Sequence, residues 1–113
     1  MSEPDDVMDR RLALSRMMDD EDLMKQAAAA FLPDSAIQVQ RLLQALETAD
    51  MDSTARVAHT LRGVAGIFAA SPCEHAAQRV EAASRAGDVA AARDAGVTLV
   101  SELKRLTAVL EKL

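Results

Sequence analysis

Tryptophan and tyrosine are absent, phenylalanine occurs only as Phe31 and Phe68, and Cys73 is the single cysteine. So few rings argue against a β-sandwich or barrel core, which draws on aromatic and β-branched residues. One cysteine forms no intramolecular disulfide, no C-x-x-C pair and no zinc quartet, and fits a reducing compartment. Positive charge is also scarce: 13 Lys and Arg face 18 Asp and Glu, leaving a formal charge of −5. That is the wrong sign for tracking a phosphate backbone, and two phenylalanines make no stacking platform, so nucleic acid is excluded as a partner. No apolar run approaches the ~20 residues of a membrane span. The start, Met1 to Arg11, is acidic rather than basic and then apolar, so no secretory signal is expected and the chain reads as cytoplasmic. A Gly-rich nucleotide loop is missing too, and with it autophosphorylation from ATP.

What is present is helix-forming. Half of the 113 residues are hydrophobic, chiefly Ala, Leu, Val and Met, a composition suited to a helical core. The length allows one domain, residues 1–113, with 1–8 expected to be a flexible N-terminus. A short helix is expected around Asp9 to Met17. Asp20 can cap a second helix from Glu21 to Phe31. Pro33 ends or re-angles it, and Ile37, Val39, Leu42, Leu43 and Leu46 then recur at helical spacing up to Thr48. After the caps of Asp50-Met51-Asp52, a helix over Ser53–Ala70 carries Val57, Leu61, Val64 and Phe68. Ser71-Pro72-Cys73-Glu74 reads as a capping box that starts the next helix, with Ser71 as cap. That helix runs to Ala86, where Gly87 supplies a left-handed stop and Asp88 caps the last helix, through Val97, Leu99, Val100, Leu103, Leu106 and Leu110. The expected fold is all-α: an antiparallel up-down-up-down four-helix bundle with a short extra N-terminal helix.

The Ser53–Ala70 helix holds the chemistry. On a wheel of about 100° per residue, Val57, Leu61, Val64 and Phe68 cluster within about 40° of the pole opposite His59. Gly63 and Gly66 fall within about 40° of His59, and Arg56 and Arg62 flank it about 60° to either side. Two glycines within a helix cost roughly 1 kcal/mol each relative to Ala, which is hard to explain structurally on a solvent face. A bare stripe beside an imidazole instead lets a partner's backbone or a bulky anion approach the ring, with Arg62 supplying charge-assisted hydrogen bonds. The plain alternative is an exposed surface histidine with tolerated glycines.

Ala58-His59-Thr60-Leu61-Arg62-Gly63-Val64-Ala65-Gly66 resembles the phosphorylation motif of histidine-containing phosphotransfer (HPt) domains: His, any residue, an aliphatic, Lys or Arg, Gly, any residue, a small residue. Helix lengths, the acidic turn before the His helix and the Ala86–Asp88 link are similar as well. The resemblance implies that His59 is the phospho-acceptor, that Arg62 lies near the phosphoryl oxygens, and that Gly63 and Gly66 leave room for them. It further implies a polar residue on the following helix facing the imidazole, at Glu81, with Gln78 one turn earlier. A carboxylate there would accept the Nδ1 proton and free Nε2 for attack. The implied partners are response-regulator receiver domains and a hybrid sensor histidine kinase. No cofactor of its own is expected, Mg2+ being brought by the receiver, and the chain would be a monomeric relay, not an enzyme.

Other readings are open on the residues alone. A helical adaptor could use the same face without being phosphorylated. A sensor-kinase dimerisation helix usually carries an acidic residue directly after His and Pro at the fifth position, where this chain has Thr60 and Val64. A metal or haem bundle needs more ligands than His59, His75 and six methionines offer. His75 is assigned no function, Cys73 reads as a small packing residue, and Met24 and Met51 are ranked as candidate docking residues.

Overall fold

A computed structural model describes residues 7–113, and everything in them that is regular is helical. The elements are α1 (Arg10–Arg16), α2 (Glu21–Glu47), α3 (Met51–Ile67), α4 (Ser71–Arg85) and α5 (Val89–Leu110). Helices α2 to α5 run up and down around one core: each packs beside the next, and α5 closes the ring against α2. The short α1 lies across one end, where the Asp9 N–H donates to the Ala69 carbonyl at 2.9 Å.

The helix starts follow the acidic caps. Asp9, Asp20, Asp50 and Asp88 each accept a hydrogen bond from a backbone N–H three residues on, which satisfies a donor that the first turn leaves free. Hydrogen bonds from the Ser53 N–H and hydroxyl also hold the Asp50 carboxyl below its ordinary range. The exception is α4. Its cap position is Ala70, with no side-chain bond, and Ser71 and Pro72 already lie inside the helix, so the expected capping box does not form. Pro72 dispenses with one N–H that would otherwise want a partner, and the chain enters α4 directly from the α3 turn.

The three links that follow α2, α3 and α4 are built alike. Ala49, Ala69 and Gly87 occupy their midpoints with φ of 57°, 52° and 72°. In each, the next residue donates its N–H back across the turn, from Asp50 to Ala45, Ala70 to Ala65 and Asp88 to Ala83, at 2.8, 2.8 and 3.0 Å. This is a left-handed C-terminal closure shared with the next helix's start. Only Gly87 shows it in the sequence; two alanines take the same strained conformation and hide it.

Pro33 does not divide the chain. Glu21–Glu47 is one helix with Pro33 inside it. The ring lies on the exposed face, where the lost N–H leaves the Ala29 carbonyl to solvent, while Phe31, Ser35, Gln38 and Leu42 on the other face stay buried. Packing of that face outweighs the local cost.

The core is made of Leu42, Leu61, Val80, Leu99, Leu103 and Leu106, with the Phe31 and Phe68 rings 6.1 Å apart and tilted by 42°. Gly96 admits Leu46 so closely that a Cβ there would stand 2.6 Å from its Cδ1. Arg93 of α5 donates to the Leu46 and Glu47 carbonyls at 3.0 and 3.3 Å, tying α5 to the end of α2. Two further expectations change. Val7 and Met8 are buried in the core and not part of a flexible tail; the rest of the 1–8 stretch lies outside the described residues. Met24 is wholly buried and presents no docking surface, while Met51 is half-buried against the core. No described helix is long and apolar enough to cross a membrane.

Cys73 sits inside this core, and burial pushes its thiol up to about 12. At pH 8 it therefore stays protonated and unreactive. Iodoacetamide is expected to label Cys73 slowly in the native protein and rapidly in denaturant; equal rates would place the thiol at the surface. Replacing Pro33 by Ala restores a helix hydrogen bond worth part of a ~3 kcal/mol propensity difference, less ~1 kcal/mol for the looser unfolded chain. Denaturant melting of Pro33→Ala should thus show a gain of about 2 kcal/mol.

Candidate functional site

Helix α3 turns a different face to the core from the one its large residues mark. Thr54, Ala55, Ala58, Leu61 and Ala65 are its buried residues, whereas Val57 and Val64 are only half-buried. The buried stripe is rotated by about 75° from the wheel drawn through the valines. Alanines account for the shift. Ala58 and Ala65 on α3, with Ala76 and Ala77 on α4, are all buried, and small side chains let two helices approach closely. Among all helix pairs, α3 and α4 share the most extensive contact.

The rotation moves His59 from the far pole to the shoulder of the exposed face, beside α4. Its side chain remains 59% accessible, yet Nδ1 lies 3.2 Å from Glu81 Oε2. Glu81 itself is 93% buried. A lone buried carboxylate is costly, so its surroundings must carry compensating charge. Arg85, one turn further along α4, donates to Oε2 from Nε at 3.0 Å and from Nη2 at 2.8 Å. Arg62 on α3 stands 3.5 Å from Oε1. The hydrogen bonds of Arg85 hold the Glu81 carboxyl below its usual range, helped by the Arg62 and His59 charges and opposed by desolvation. Glu81 is thus ionised at neutral pH, and a carboxylate only accepts. Nδ1 is therefore the donor in this contact, and Nε2 is the ring nitrogen turned away from Glu81.

The structure brings together His59, Arg62 and Glu81. Gln78 is exposed and makes no hydrogen bond with His59 among the described residues. The two positions differ in direction by about 60° around α4, enough to leave position 81 buried and position 78 exposed. Gly63 borders open space, with nothing within 4 Å of where a Cβ would stand. Gly66 is not equally bare, for Glu74 Oε2 lies 3.6 Å from its Cβ position and its carbonyl accepts a bond from Arg16 of α1. His75 is exposed on α4, and no group of three or more His, Cys, Asp or Glu among the described residues could hold a metal ion.

Arg85 is the residue that the sequence reading missed. Its signal was available, since Glu81 and Arg85 are four apart with Glu on the N-terminal side, the favourable order for a helical ion pair. Taken alone that spacing marks a common surface pair; only the burial of Glu81 gives it weight.

No curated protein and no solved structure matches the chain significantly. The family model of the Hpt domain matches residues 26–112, which takes in most of α2 and all of α3 to α5, and with them the whole arrangement around His59. The chain belongs to the Hpt domain family, whose members pass phosphoryl groups through a histidine in phosphorelays and interact with receiver domains and sensor kinases, acting as intermediates and not as kinases.

Proposed function

We propose that His59 is the phospho-accepting residue of this chain, relaying phosphoryl groups between the aspartates of response-regulator receiver domains, with a hybrid sensor histidine kinase upstream. The observation that carries this is the exposed imidazole whose Nδ1 is turned to the ionised Glu81. In the first transfer the Nε2 lone pair attacks phosphorus in line with the aspartyl oxygen. The N–P bond forms, the P–O bond breaks, and the aspartate leaves as a carboxylate. The imidazole keeps its Nδ1 proton and becomes cationic as the bond forms, so the Glu81 charge beside it stabilises what develops. The second receiver's carboxylate reverses these steps.

A loose phosphoryl transition state asks mainly for positioning and for charge on the equatorial oxygens. This chain contributes the rigid helix and Arg62, which can turn from Glu81 to a phosphoryl oxygen across a few ångströms. The Mg2+ ion and the remaining anion site belong to the receiver. The relay works in the cytoplasm as a monomer, with residues 1–113 as one domain and one histidine face per bundle. Open space at Gly63 is where the receiver's backbone approaches the ring.

Incubation with a panel of phosphorylated receiver domains should give wild type an acid-labile, base-stable adduct and give His59→Gln none. Adduct formation in the Gln variant would remove His59 from the role, and receiver binding without any transfer would indicate an adaptor. Gly63→Leu should slow transfer about tenfold or more by filling the approach. It should also leave the fold as stable or up to about 1 kcal/mol more so, because a poor helix former is replaced at an uncrowded site. Undiminished transfer in that variant would mean that the receiver docks elsewhere.

A further inference from the structure

One oxygen of Glu81 is oversubscribed and the other is nearly unused. Oε2 faces three donors, Arg85 Nε and Nη2 and His59 Nδ1, at 3.0, 2.8 and 3.2 Å. Oε1 is buried without a hydrogen bond, its nearest cation being Arg62 at 3.5 Å. A carboxylate oxygen offers about two lone-pair directions. The two short bonds belong to Arg85, and the imidazole holds the longest of the three. The guanidinium and the ring therefore compete for the same acceptor.

We propose that Arg85 is a positioning residue that acts through Glu81 to keep His59 neutral: by occupying Oε2 it offsets the charge that would otherwise draw a second proton onto the ring. This rests on His59 being the acceptor. A buried carboxylate beside an imidazole favours the imidazolium, which has no lone pair and cannot attack phosphorus. Arg85 leaves enough of the carboxylate's field to fix the proton on Nδ1, but not enough to fill Nε2. Charged groups near the ring are Glu81 and Arg85 from α4 and Arg62 and Arg56 from α3 itself. No ion pair among the described residues joins the ring to α2. Arg62 cannot replace Arg85, because it stands at the other oxygen and is the cation that the phosphoryl group would draw away.

The Arg85 side chain is 61% exposed, so its replacement should leave the bundle folded, as far-UV circular dichroism would show. The test uses wild type, Arg85→Met, Arg85→Lys, Glu81→Gln and the Glu81→Gln/Arg85→Met double variant. Two quantities are followed against pH: the His59 ring nitrogens by two-bond 1H–15N spectra, and the rate of phosphoryl transfer from a phosphorylated receiver. In Arg85→Met the ring should gain its second proton about one pH unit higher than in wild type, and the acid limb of the rate should move with it. Transfer on the acid limb would then fall several-fold and recover at alkaline pH, with Arg85→Lys close to wild type. In the Glu81→Gln background Arg85→Met should alter neither quantity. An unmoved ring titration, a rate loss that is the same at every pH, or an undiminished effect without the Glu81 charge would each overturn the proposal. The spectra need no phosphate donor, so they decide the role of Arg85 even if His59→Gln still accepted phosphate and the relay reading fell.

Discussion

The close approach of α3 and α4 is the constraint on which the site depends. Ala58 and Ala65 on α3 and Ala77 on α4 are buried, and small side chains of this kind let the two helices stand near enough for a glutamate on one to reach an imidazole on the other. The rest follows in order. Proximity buries the Glu81 carboxylate, burial demands cations, and Arg85 and Arg62 answer from the two helices that form the seam.

Much of the fold was legible because its punctuation is chemical. The aspartate caps at 9, 20, 50 and 88 and the glycine at 87 mark helix ends through bonds that those residues form and others do not. Pro33 misled for a physical reason: propensity is local, whereas the buried face of α2 continues through the proline on both sides and outweighs one lost bond. Ser71 misled similarly, since the turn made by Ala69 and Ala70 carries the chain into α4 before a serine cap is required.

At the site, the nine-residue motif pointed to the histidine, its arginine and the open glycine, and the family resemblance it carries implied Glu81 or Gln78 on the next helix, of which the structure brings Glu81 to the imidazole. The wheel, however, weighed valines and leucines and ignored alanines, so it set His59 at the far pole. Small residues carry little hydrophobic weight in a periodicity argument, yet they decide how near two helices come. Arg85 stayed hidden for a related reason. An i,i+4 Glu–Arg pair is ordinary on a solvated face, and only the third dimension shows that this one reaches into the seam beneath the histidine.

The three alike links after α2, α3 and α4 reverse the chain in three residues apiece, leaving no long loop between the helices that form the ring. Among the described residues, what the ring of four helices offers to another molecule is therefore chiefly helix face. Among the described residues, none of these three links is a long loop that would have to be ordered on association, with the entropy such loops surrender at that moment. A change on such a face alters one side chain at a time and leaves the frame undisturbed.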